Sequence, residues 1–441
     1  MFLNLTLEQV GGLLSKSNFW SVEVPRAAES YPVIFHSSLA LAALDHLQRT
    51  ANSESDSGQG YYAFSLQECN TAIHELVQLT KKDTLAYSDK EAILLATVFL
   101  IGIACIQGNL NQALMHVRKA LQLIDHWHFW LEADTPVRSR GSRGVLDSRW
   151  LLHLISYFEF QAHEIDATIV ANSWKCHARQ QTQQKALGPF ACAADAYYEY
   201  MPIHFGFTSD PSFSRRLPQA CDDQNDAPSF ENVYRSWRLR FQKLAEDSGA
   251  ADDEERLAIS TLQALVNCER ICRHVLGNNT KDVWRTSNVI FQGIVDVAGR
   301  LLGDECGHGS DRHPNRIMPT FTFSLSAVEI LRLVGFVSRN GNIRRHVVTL
   351  LHKYQRRNGL WDSKLSSTLI EAKMALEEGS MVRFADGGEC GCELNVFACK
   401  EHRSRTLKSE MVGDKMFRTS INSWAGQLRG EPDTHVSVEW D

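Results

Sequence analysis

Cys390, Cys392, Cys399 and His402 form the pattern C-x-C-x6-C-x2-H near the end of a 441-residue chain. Three thiolates and an imidazole are a donor set that zinc accepts in a tetrahedron. The spacing is irregular, because C-x-C is tighter than the usual C-x2-C knuckle. The same residues also read as free thiols in a poorly structured tail. That reading, with no cofactor, is the expectation, and zinc at these four residues is the alternative. The 11 cysteines are an odd number, scattered from Cys69 to Cys399. Several, such as Cys105, Cys268 and Cys272, lie inside apolar helical patterns and read as packing residues. The usage points to reduced thiols in an intracellular compartment rather than a disulfide framework.

Other chemistry is absent from the pattern. His163-Glu164 begins like H-E-x-x-H, but Ala167 stands where the second histidine belongs. There is no P-loop, no G-x-G-x-x-G and no G-x-S-x-G. No catalytic residue is named, and the chain is not expected to be an enzyme.

The segment RRHVVTLLHKYQRRNGLWDS, Arg344 to Ser363, concentrates four arginines, a lysine and two histidines. On a helix, Val347, Leu350, Leu351 and Tyr354 make one apolar stripe, with Arg345, His352, Lys353 and Arg356 opposite. Asn358-Gly359 predicts the helix end, with Arg356 and Arg357 in a last turn where cations favour the macrodipole. Trp361 folds back on that end, and Asp362-Ser363 suits the N-cap of the next helix. The basic face is therefore read as structural rather than as a DNA-reading helix.

The elements that would position these residues are helical. Hydrophobic residues are 44% and charged residues 22%, as in ordinary globular proteins, and the net charge of −6 argues against a general polyanion binder. Strand signals are few. Apolar periodicity marks helices from Tyr31 to Trp130, including the uncharged run Ala92 to Ile106. That run falls short of the roughly 20 residues a bilayer span needs, so it predicts a helix buried on all sides. Gln107-Gly108-Asn109 ends it, and the following helix carries Leu110, Ala113, Leu114, Val117, Leu121 and Ile124 on one face. A short connection of this kind predicts an antiparallel pair. The N-terminus has no positive region before its apolar residues and is a poor signal peptide. Further helices are expected over RWLLHLISYFEFQAHEIDATIV, FENVYRSWRLRFQKLAE and RLAISTLQALVNCERICRHVLG, and in a block from Phe321 to Glu378. A basic loop spans Thr135 to Gly144, and the stretch from about 180 to 227 reads as irregular. Beyond Gly379 the composition predicts a partly disordered tail.

The order of these elements resembles the fungal-specific transcription factor domain family. The closing block matches through Phe321 and Phe323, Arg339, Arg344-Arg345 with Leu350-Leu351, Arg356 to Ser363, and Glu377-Glu378. The early block matches through HSSLALAALDHL, YYAFSLQECNTAI, Gln107 to Asn109, and Ala113 to His116. Val347 stands near where the family often has alanine, and Asn340-Gly341-Asn342 replaces its usual Asp-Pro. The resemblance implies an all-α fold, a large helical domain of antiparallel helix pairs. Residues 1–29 are then a lead-in, 30–380 the regulatory domain and 381–441 the partly disordered tail. It also implies that Gln107, Gly108, His116, Arg344, Arg345, Arg356, Gly359, Trp361 and Asp362 are family signature residues of structural character.

In that family the domain usually follows a six-cysteine binuclear zinc cluster that binds DNA. Here the first cysteine is Cys69, already within a helical pattern, so a DNA-reading module is not expected. The implied function is that of a nuclear transcriptional regulator. It would work through protein partners, such as a DNA-binding transcription factor or a second copy of itself, and not through a membrane. The faint nuclear-localisation candidate is KEHRSRTLK, Lys400 to Lys408. The competing reading is an α-helical interaction scaffold with no direct transcriptional role, although no fixed repeat period supports it.

Overall fold

A computed structural model of the chain describes residues 17–50, 57–130, 145–166, 169, 188–208, 230–247, 249, 251–277, 280–305, 321–384, 391–399, 401–412 and 416–439. The expected all-α class is borne out, and helices make up most of these residues. They fall into two compact units. Unit 1 comprises 1–106, 112–260 and 322–324, and unit 2 comprises 107–111, 261–321 and 325–441.

Unit 1 begins with a π-helical turn, Phe19–Glu23, that runs into α1, Val24–Ser30. Phe19 and Trp20 are buried, so residues expected as a lead-in form part of the core. α2 (Pro32–Thr50), α3 (Ser57–Thr80) and α4 (Tyr87–Ile106) pack together. α4 is buried on every face from Glu91 to Ile106, as its uniform apolarity predicts. Gly108 has a φ of 69°, the left-handed conformation that lets the chain leave α4 within a short turn. On α5, Leu110–Trp127, all six residues of the predicted face are buried. The early helices are followed by α6 (Ser148–Ile165), α7 (Ala193–Thr208) and α8 (Phe230–Asp247). The basic loop Thr135 to Gly144 lies outside the described residues, as does much of the stretch expected to be irregular.

The core of unit 1 is aromatic. Phe323 lies 5.4 Å from Trp20, 6.4 Å from Phe99 and 5.9 Å from Phe158, measured between ring centres. Such offset and edge-on pairs add to the burial of apolar area. A Cβ on Gly102 would lie 2.8 Å from the Phe323 ring, so only glycine admits the ring at that depth. A carboxylate is also buried here. Glu91 accepts hydrogen bonds from the Val145 N–H at 2.8 Å and the Ser148 hydroxyl at 2.5 Å. These bonds secure the start of α6.

Unit 2 contains most of α9 (Asp253–Gly277) and all of α10 (Lys281–Glu305), after which comes the two-residue strand β1, Phe321–Thr322. It continues with α11 (Ala327–Val337) and α12 (Gly341–Lys353). The periodicity of Trp284, Phe291, Val295, Ala298 and Leu302 buries one face of α10, a helix the sequence reading did not place. α12 ends at Lys353, a turn before the expected stop at Asn358-Gly359. Those residues belong instead to a hairpin of β2 (Arg357–Asn358) and β3 (Trp361–Asp362). Gly359, with φ of 58°, opens its two-residue turn. Such hairpin turns demand positive φ at the first central position, and this requirement overrides the C-cap reading of the same Asn-Gly pair.

Asp362 caps α13, Ser363–Phe384, by accepting from the Leu365 N–H at 2.6 Å. The expected N-cap is therefore in place. The tail then carries structure that its composition did not announce. β4 (Ser404–Val412), β5 (Met416–Ser423) and β6 (Thr434–Glu439) form an antiparallel sheet in that order, with the short α14 (Trp424–Leu428) between β5 and β6. The sheet packs on α13. Phe417, Thr419 and Ile421 bury one face of β5 with a period of two. That alternation holds a sheet against a helix even in a segment rich in serine, threonine and charge.

Candidate metal centre and its supporting ion cluster

The chain between α13 and β4 forms a tight hairpin. Glu393 and Phe397 exchange both backbone hydrogen bonds at 2.8 Å, and Asn395 turns the tip with φ of 61°. This pairing brings Cys392 and Cys399 side by side, and the Cys399 N–H donates to Cys392 Sγ at 3.1 Å. A second turn follows, closed by the Arg403 N–H donating to the Cys399 carbonyl at 3.1 Å. It returns His402, whose Nδ1 lies 3.1 Å from both sulfurs. The two sulfurs and the ring nitrogen all lie within 4.8 Å of one another. Cys399 and His402 are buried and Cys392 is half-buried. The hydrogen bond shared with Cys392 brings the Cys399 thiol down to about 6, against the upward pull of burial. Three of the four residues of the sequence pattern thus converge. The fourth, Cys390, lies outside the described residues.

The hairpin is tied to the helices of unit 2. Glu393 takes ion pairs from Arg285 and, at 2.6 Å, from Lys281, both on α10, and these cations hold its carboxyl down to about 2. The Ala398 N–H donates to the Arg339 carbonyl at 3.3 Å, and the Asn342 N–H to the Asn395 carbonyl at 3.3 Å. The Arg339 guanidinium lies 4.3 Å from the Trp284 ring and 5.5 Å from the Phe397 ring. Both are cation–π distances that fasten the hairpin to α10.

Directly after His402 the chain enters a buried ion cluster. Glu377 on α13 accepts from Arg344 of α12, and from the Ser404 N–H and hydroxyl at 3.0 and 2.9 Å. Arg403 approaches it at 3.5 Å while donating to the carbonyls of Phe336 and Ser338 at 2.8 and 3.0 Å. Burial would raise the Glu377 carboxyl, but the Arg403 and Arg344 charges and the Ser404 N–H outweigh it and hold it down to about 2. Lys373 lies in the same region, 4.9 Å from the Phe336 ring. Burial, with the Arg403 charge, pulls its ammonium down to about 7.

The signature residues divide by position. Gln107 and Gly108 form the turn after α4, and His116 is half-buried on α5. Arg344 and Arg345 pair with Glu377 and Glu378, so the two doublets of the sequence are two ion pairs between α12 and α13. The sequence reading identified both doublets without joining them, although their opposite charges were the available signal. The backbone of Arg356 is bracketed by Ser363, which donates to its carbonyl from the N–H at 2.9 Å. Trp361 is buried under the Arg332 guanidinium, 4.7 Å above its ring. Arg403 belongs to the run expected to be a faint nuclear-localisation signal, and its guanidinium is engaged by Glu377 and by the carbonyls of Phe336 and Ser338.

A second feature lies in unit 1. An open cleft of about 260 Å³ is bordered by Phe190, Arg240, Lys243 and Glu255. It is smaller than the roughly 300–1,000 Å³ of ordinary small-molecule sites. Its arginine is already engaged, stacked 3.9 Å over Phe190 and paired with Glu199 at 2.9 Å.

The fungal specific transcription factor domain matches residues 9–163. The match covers the early block of the resemblance, with Gln107, Gly108 and His116, and extends it toward the N-terminus. The closing block, the ion cluster and the Cys–His group lie outside it. No curated protein and no solved structure matches the chain. Among the described residues no helix is long and apolar enough to cross a membrane.

Proposed function

We propose, from the match of the fungal specific transcription factor domain to residues 9–163, that the chain is a nuclear regulator of transcription acting through its helical regulatory domain. The matched family is one of transcription factors rather than enzymes, which agrees with the absence of a catalytic motif. The domain match is the observation that carries the reading. The basic helix α12 supports a regulatory rather than a DNA-reading part for the described residues. Arg344 pairs with Glu377 and Arg345 with Glu378, so both arginines of the α12 doublet already face carboxylates. The sequence given contains no basic six-cysteine segment of the kind that reads DNA in this family. In this reading DNA is reached through a protein partner, either a DNA-binding transcription factor or a complex formed by self-association.

The test is chromatin immunoprecipitation of the tagged full-length chain, paired with measurement of its nuclear fraction. Discrete promoter occupancy with nuclear enrichment is the expected result. A cytosolic protein without occupancy would overturn the proposal and leave the helical interaction scaffold as the better reading.

A further inference from the structure

We propose that Cys392, Cys399 and His402 bind one Zn²⁺ ion, which locks the hairpin 392–399 onto the helices of unit 2. The inference is independent of the regulatory reading and rests on geometry. A tetrahedral zinc lies about 2.3 Å from thiolate sulfur and about 2.0 Å from imidazole nitrogen, which separates its ligand atoms by about 3.6 Å. The two sulfurs here each stand 3.1 Å from His402 Nδ1, and all three atoms lie within 4.8 Å. Small side-chain rotations that widen the sulfur–nitrogen separations by a few tenths of an ångström open the group to receive the ion.

The backbone already holds the three donors together. A two-bond hairpin sets the cysteines side by side, and a turn returns the histidine. The Cys399 N–H donates to Cys392 Sγ, which stabilises a thiolate there. Two thiolates, a neutral imidazole and Zn²⁺ sum to zero charge, so a neutral unit occupies a partly buried position. Binding forms two Zn–S bonds and one Zn–N bond and releases the thiol protons to solvent.

The supports reach outward from the ligands. Glu393, next to Cys392, is held by Lys281 and Arg285, and Arg403, next to His402, enters the buried ion cluster. Such outer contacts orient the ligands before the ion arrives. The donor set of soft sulfur and imidazole selects zinc over hard cations such as Mg²⁺ or Ca²⁺. Three protein ligands leave one tetrahedral position, which a water molecule or a further donor fills.

The experiment uses the full-length chain, purified under reducing conditions, stripped with chelator and dialysed against Zn²⁺. Metal analysis is expected to find one ion per chain. Cys399→Ser and His402→Ala are each expected to lose it, while Cys69→Ser, in unit 1, keeps it. Should the variants fold poorly, Co²⁺ loaded into the wild-type chain gives a second readout. Tetrahedral thiolate ligation is expected to produce a sulfur-to-cobalt charge-transfer band that Zn²⁺ then displaces. No stoichiometric zinc in the reduced wild-type chain, no such band, or undiminished zinc in a well-folded Cys399→Ser chain would each overturn the proposal.

Discussion

Arg344 on α12 and Glu377 on α13 form an ion pair inside unit 2, with side chains only 3% and 1% exposed. The adjoining pair, Arg345 with Glu378, is 44% and 30% exposed. The two pairs are chemically alike and neighbours in sequence, but they differ in what their loss would leave behind. Removing Glu377 strands Arg344, Arg403 and Lys373 together without an anion, whereas Glu378 leaves a solvated arginine.

Glu377→Ala is therefore expected to destabilise the fold by about 3–5 kcal/mol, the cost of uncompensated buried charge. Glu378→Ala is expected to cost at most about 1 kcal/mol. Urea denaturation of both variants checks the contrast. Equal midpoints would show that burial of the first pair carries no special weight.

Lys373 gives a pH dependence. Its folded value of about 7 lies below the usual lysine range because burial and the nearby Arg403 and Arg344 charges outweigh the attraction of Glu377. Between about pH 7 and 10 the unfolded chain holds a proton on Lys373 that the folded chain has lost, so stability from this group rises with pH. The slope is about 1.4 kcal/mol per pH unit for one proton. Comparison of the wild type with Lys373→Met across this window isolates the group. The difference in stability is expected to shrink as pH rises, and a constant difference would show that Lys373 titrates normally.

Trp361 is 5% exposed and fills the space between the hairpin and Arg332. Trp361→Ala is expected to cost about 3 kcal/mol through lost burial and a residual cavity. A thermal melt with an unchanged midpoint would contradict this packing.

Gly359 carries φ of 58° at the first position of the β2–β3 turn. Gly359→Ala is expected to cost about 1–2 kcal/mol, since an L side chain is strained there. Gly359→Asn should cost less, because asparagine tolerates this region. The ordering of the two variants in chemical denaturation is the check.

Much of unit 1 was legible from pattern alone. The apolar run from Ala92 to Ile106 and the face from Leu110 to Ile124 are one-dimensional signals, and the helices follow them. The hairpin at Asn358-Gly359 was misread as a helix end because both structures ask for a glycine at positive φ, here Gly359. Neighbouring strand residues decide between them, and that is a pairing rather than a local property. The tail sheet was missed because its buried residues, Phe417, Thr419 and Ile421, alternate with polar ones in a segment whose average composition is hydrophilic. A sheet needs only one apolar face, and the α13 surface that covers it is distant in the chain.

The metal-ligand group shows the same division. Residue types and spacing determined that Cys390, Cys392, Cys399 and His402 could serve zinc, that no catalytic motif accompanies them, and that helices dominate the chain. They did not decide whether the thiols meet. That follows from the Glu393–Phe397 pairing, the turn that returns His402, and the anchoring of both ends by Lys281, Arg285 and Glu377. The joining of Arg344-Arg345 to Glu377-Glu378 was decided at the same level. A pattern encodes local geometry and burial preference, but coordination and buried charge pairing depend on which distant backbone segments meet, and packing alone sets that.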